Sequence, residues 1–94
     1  MESFFYMIDQ DWLRSFREKL DNYYAWPSLY TFKFIVPKGR EEQVRKLFPM
    51  HKPSERASKN GTYTSLTIQT MMPSTEAVLK VYESASTIEG IIAL

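Results

Sequence analysis

The sequence predicts an α+β fold: a four-stranded antiparallel sheet with two helices on one face, preceded by a further helix. Three observations carry this. Residues 29–36 and 63–70 alternate apolar and polar side chains, as strands buried on one face do. Residues 41–48 and 74–85 instead bring apolar side chains round at helical spacing. Asn60-Gly61 stands just before the second alternating run as a hairpin signal, both residues accepting the positive φ of a primed turn.

Taken in order, residues 1–26 read as an N-terminal extension and helix, and 27–94 as the sandwich domain. Phe4, Phe5 and Ile8 need a surface to pack on. Asp9 or Asp11 caps a helix running to about Leu20, with Leu13, Phe16 and Leu20 on one stripe and Trp12 beside them. Arg14 and Glu18 are spaced for a helical ion pair. Tyr23, Tyr24 and Trp26 lead into Pro27, which forces the residue before it to be extended.

In the first strand Tyr30, Phe32, Phe34 and Val36 take one face, and Thr31, Lys33 and Ile35 the other. Pro37-Lys38-Gly39 ends it as a turn. The helix over 41–48 is acidic at its start and basic near its end, as the macrodipole favours, and turns Val44, Leu47 and Phe48 inward. Residues 54–58 form a short edge strand, kept from mispairing by Arg56 and Lys59. After the hairpin, Leu66 and Ile68 face the core. Ser74 caps the last helix, whose stripe is Val78, Val81, Tyr82 and Ala85. Ile91-Ile92-Ala93-Leu94 closes the sheet. The order helix, then β-α-β-β-α-β, with two right-handed crossovers around a hairpin, is that of the ferredoxin-like sandwich.

Composition narrows the functions. The 94 residues suffice for one small domain, and 44% apolar with 15% aromatic content argues for a packed core. With no cysteine, disulfides, thiolate metal sites and cysteine nucleophiles are excluded. The apolar start lacks the basic lead and length of a signal peptide, and no run is long enough to span a membrane, so a cytoplasmic protein is expected. Net charge is only +1, yet residues 33–60 hold eight basic side chains against three acidic ones. A basic middle can meet an anionic partner, although a solvated helix face plus a hairpin tip is the ordinary explanation.

Three stretches carry a family resemblance: Trp26-Pro27-x-x-Tyr30-x-Phe32-Lys33-Phe34-Ile35-Val36, the Arg56-x-Ser58-Lys59-Asn60-Gly61-x-Tyr63-x-Ser65 hairpin, and Gly90-Ile91-Ile92-x-Leu94. Over about Leu20 to Leu94 the chain resembles the small bacterial YbeD-like family, DUF493, a domain of unknown function. The resemblance implies the ferredoxin-like fold, similar to ACT domains, which bind small effectors and regulate metabolic enzymes. It implies no agreed ligand, cofactor or catalytic residue. An ACT-type effector site would use a Gly-containing turn after the first strand, where Pro37-Lys38-Gly39-Arg40 stands.

Sites of chemistry are sparse. His51, the lone histidine, lies in a loop, and a nucleophilic triad would need it beside a buried carboxylate. Glu41 and Glu42 are neighbours on a helix and diverge, reading as dipole partners and not as an acid/base pair. Asp9 and Asp11 read as caps, without the oxygen-rich loop that a metal needs. The three glycines are scattered, so no phosphate loop is present. The expectation is therefore no enzyme, no metal and no cofactor, but a regulatory or interaction module. It would bind a small anionic effector or a partner protein around Lys38, Arg40, Arg56, Lys59 and Asn60. Single-stranded RNA on the open sheet face, at Lys33 and Tyr63, is the second reading. It is disfavoured because Tyr63 is the sole aromatic there, where RNA-stacking sheets carry several. The N-terminal aromatics are expected to cover Ile35 and Tyr63 on the chain's own open sheet, giving a closed monomer, or on a neighbour's, giving a homodimer.

Overall fold

A computed structural model describes residues 10–94. Its elements are α1 (Gln10–Tyr23), β1 (Ser28–Pro37), α2 (Glu41–Arg45), β2 (Ser54–Ala57), β3 (Tyr63–Met72), α3 (Thr75–Ala85) and β4 (Ile92–Ala93). The strands form one sheet in the order β2-β3-β1-β4, each pair antiparallel. This is the expected ferredoxin-like arrangement behind an N-terminal helix. Phe4, Phe5, Ile8 and the Asp9 cap lie outside the described residues. Among the described residues no helix is long and apolar enough to cross a membrane.

The alternation in sequence becomes the two faces of the sheet. Tyr30, Phe32, Phe34 and Val36 are buried, and β3 presents Thr64, Leu66, Ile68, Thr70 and Met72 to the same side. Both crossover helices cover that side, contributing Val44 from α2 and Val78, Tyr82 and Ala85 from α3. A connected cluster of rings runs between them. The Phe32 and Phe34 rings stack with centroids 6.1 Å apart, and Tyr82 meets both nearly edge-on. The hydroxyls of Tyr30 and Tyr82 lie 2.8 Å apart, and burial pushes the pKa of both upward, keeping the pair neutral.

Five local expectations are adjusted. The helix over 41–48 stops at Arg45 and continues as a tighter turn, in which Leu47 and Phe48 donate to carbonyls three residues back. That rotation buries Phe48 and leaves Leu47 half-buried against the core, as is Val81. The last strand is only two residues long, with Leu94 adding one bond to the Lys33 carbonyl. Arg14 pairs with Asp11 at 3.4 Å, one turn before it. The hairpin turn is not of the primed kind: Asn60 does not take a positive φ, and only Gly61 does, at 74°. Gly61 donates to the Ser58 carbonyl, so four residues close the loop around an ordinary turn and the glycine reverses the chain afterwards.

The largest departure concerns α1. It does not cover its own open sheet but docks in cis on α3, on the helical side of the sheet. Leu13 and Leu20 are buried, and the Phe16 ring lies 6.3 Å from Tyr82. Arg17 pairs with Glu76 at 2.5 Å. Thr75 closes the joint, accepting from Trp26 Nε1 at 3.0 Å and donating to Asp21 Oδ1. Two groups of α1 and its exit thus converge on the first residue of α3, a partner too distant in sequence to be read from local pattern. The open sheet face stays uncovered by α1, and Tyr63 is 43% exposed.

Glu41 ties α2 to β3. Its carboxylate accepts from Thr64 Oγ1 at 2.7 Å and from the Gly39 amide at 2.8 Å. The Thr64 hydroxyl, with help from backbone amides, holds its pKa below the ordinary 4.5. A lowered folded pKa stabilises the fold above the unfolded value and loses that contribution as pH falls through the folded one. Glu41→Gln should therefore be less stable than the wild type near about pH 6, with the gap closing toward about pH 3. Urea titrations across that range test this; a constant gap would remove the carboxylate's role.

Candidate anion-binding site on the open sheet face

Antiparallel register sorts the side chains of the open face into rows. Ile35 stands opposite Ser65 on one side and Ile92 on the other, and Ser65 stands opposite Arg56. A single row therefore runs Ile92, Ile35, Ser65, Arg56 across all four strands. The next row toward the start of β1 holds Lys33, Thr67 and Ser54, and the one after it Thr31 and Gln69. Tyr63 stands at the other end, opposite Pro37, where β3 leaves the hairpin.

At the Arg56 corner the surface is concave. A depression of about 500 Å³ is lined by Ile35, Arg56, Ala57, Ser58, Lys59, Tyr63 and Ser65. The hairpin that shapes it is braced internally. Asn60 Oδ1 receives hydrogen bonds from Ser58 Oγ (3.2 Å) and from the Thr62 amide (3.4 Å), while Ser58 Oγ accepts from the Tyr63 amide. Ser65 Oγ donates to the Arg56 carbonyl at 3.3 Å. The hydroxyl protons of Ser58 and Ser65 are thus committed, and both residues line the depression.

Charge separates this face from the other. Of the five arginines, Arg14, Arg17, Arg40 and Arg45 each pair with a carboxylate. Arg56 does not, among the described residues, and neither do Lys33 and Lys59. Nor does any strand position of the open face carry an acid: Glu55, the one acid of β2, stands opposite buried Leu66 and turns to the helical side. There Arg45 grips it with two bonds of 2.6 Å and holds the Glu55 carboxyl below the usual carboxylate range. Positive potential on the open face is left without a local counter-charge.

The seven residues singled out in the sequence fall into three groups. Arg56, Lys59 and Tyr63 share the depression, with Lys33 in the adjoining row. Asn60 is the brace of the turn. Lys38 lies beyond β1 at the hairpin end, its amide donating to the Thr62 carbonyl, and Arg40 is drawn to Glu89 at 3.4 Å on the α3–β4 side. Ile35 and Ser65 alternate onto the open face, but only the register sets them beside Arg56. A second depression, about 480 Å³, lies under the α3–β4 connection. Its walls are mainly Phe34, Tyr82, Ala85, Ile88 and Ile91, and its one charged residue, Glu89, already holds Arg40. It offers nothing to an anion.

Comparison with known proteins returns one relationship. A family model described as a protein of unknown function, DUF493, matches residues 21–94. No curated protein and no solved structure matches the chain.

Proposed function

The chain belongs to the DUF493 family of proteins of unknown function, and from its own surface we propose that it is a non-enzymatic regulatory or interaction module. It binds an anionic effector, or an acidic stretch of a partner protein, in the depression between Arg56, Lys59 and Tyr63. One observation carries this reading: among the described residues the open face gathers unpaired cations and no strand position on it holds an acid, while the remaining arginines are ion-paired elsewhere. Cations left in that state pair readily with carboxylate or phosphate. An effector-binding role also follows the ACT-like arrangement implied by the sequence resemblance, with the bacterial cytoplasm as its setting. The lining groups support binding over catalysis, since the two serine hydroxyls have given their protons to the hairpin and to Arg56.

A thermal-shift screen with carboxylated and phosphorylated metabolites and an acidic peptide tests it. A ligand at about 100 times its dissociation constant adds roughly 2.7 kcal/mol, which moves the midpoint by several degrees. The shift should fade with added salt and in Arg56→Gln. A salt-insensitive shift, or none with any anion, removes the reading.

A further inference from the structure

We infer that the depression is a subsite for one nucleotide unit, with its phosphate at Arg56 and Lys59 and its base over Tyr63 and Ile35. This rests on the anion-binding reading and specifies its ligand. Three features of the lining point the same way. The rim supplies two cations without carboxylate partners. The floor is the side chain of Ile35 and the half-exposed ring of Tyr63, which a hydrated inorganic ion cannot use but a flat heterocycle can. Ser58 and Ser65 line it too, and their hydroxyls have spent their protons and keep only acceptor capacity, one lone pair of Ser58 already serving the Tyr63 amide. Acceptors repel a bare anion, yet they suit the N–H edge of a nucleobase. Anion, ring and N–H donors in one small molecule describe a nucleotide better than a carboxylate metabolite.

A single ring limits the footprint to one base. The nucleotide is either free or one unit of a single strand whose backbone continues toward Lys33. From strand spacing and rise, the Lys33 and Arg56 backbones are roughly 12 Å apart, within reach of neighbouring phosphates.

Calorimetry on the full chain with inorganic pyrophosphate and AMP, and anisotropy with a labelled single-stranded RNA of about eight nucleotides, decides it. AMP should bind roughly 5- to 150-fold tighter than pyrophosphate, the range of one base–aromatic stack. Tyr63→Leu should abolish that advantage and leave pyrophosphate binding unchanged, whereas Arg56→Gln should weaken both. Circular dichroism and an unchanged melting midpoint confirm that each variant folds. If the source is a strand, RNA binds tighter than AMP, its log K falls with log salt by about 0.7 per phosphate contact, and Lys33→Gln weakens RNA alone. If the source is a free nucleotide, RNA binds no tighter than AMP. Equal binding of AMP and pyrophosphate, or an acidic peptide binding tighter than AMP, overturns the nucleotide inference and leaves the anion reading standing. No binding by any of these probes overturns both.

Discussion

Replacing Phe34 with Ala should lower stability by roughly 3–5 kcal/mol, the range for deleting a buried phenyl ring. The ring is fully buried and stacks on Phe32, with Phe48 and Tyr82 closing it in at 6.5 and 6.0 Å. Its strand position is paired on both sides, to Leu66 and to Ala93, so the backbone cannot move in to fill the void. Domains of this size have roughly 5–15 kcal/mol in total, so the loss is a large share. The melting midpoint should fall by roughly 12 °C or more. Ile35→Ala is the control: same strand, opposite face, half-buried. Equal losses at the two positions would mean that the sheet faces are assigned the wrong way round.

Gly90→Ala is expected to have the next largest effect, for two separable reasons. Gly90 has φ of 77°, a conformation costing an L-residue roughly 1–2 kcal/mol. A Cβ there would also stand 2.7 Å from Cγ of Pro37, at the end of β1. Gly61 has nearly the same φ, 74°, with nothing near its would-be Cβ. Gly61→Ala thus measures the conformational cost alone, and Gly90→Ala should exceed it by roughly 1 kcal/mol or more. Adding Pro37→Ala to Gly90→Ala should recover most of the excess in a double-mutant cycle. No excess over Gly61→Ala would show that the α3–β4 connection yields freely.

The closeness of Gly90 to Pro37 also bears on the second depression. The connection that Gly90 allows to turn against β1 roofs the apolar cavity beside Glu89. A shift of that connection should alter the Arg40–Glu89 pair, not the Arg56 corner. Losses of anion binding in Gly90→Ala would then report lost stability rather than a damaged site.

Much of the fold was legible because period is a local property. Alternation at Tyr30, Phe32 and Phe34 and helical spacing at Val78 and Tyr82 tell which face is apolar, and the apolar face must be covered. The Ser74 cap is equally local, its Oγ accepting from the Ala77 amide at 3.1 Å. Elements whose ends depend on distant partners read less well. The second helix ends early where Phe48 finds the ring cluster, and β4 shrinks to the stretch that β1 can pair. Asn60 is suited to positive φ, yet its side chain earns more as the brace of the turn, in hydrogen bonds to Ser58 and Thr62.

For function the division is sharper. The sequence by itself determined that Arg56, Lys59, Tyr63 and Lys33 are exposed, that Ile35 shares a face with Lys33, and that no cysteine chemistry is on offer. It could not tell which of eight basic residues in the middle of the chain are already paired. Only the tertiary structure decided that, by sending Arg40 to Glu89 and Arg45 to Glu55 while leaving Arg56 in a row with Ser65 and Ile35. It also decided that α1 packs on α3 and not on the open face, through the contacts of Thr75 with Asp21 and Trp26. The physical reason is range. Side-chain period is set by neighbours a few residues away, whereas ion pairing and the covering of a face join residues tens of positions apart, brought together only when the strands find their register.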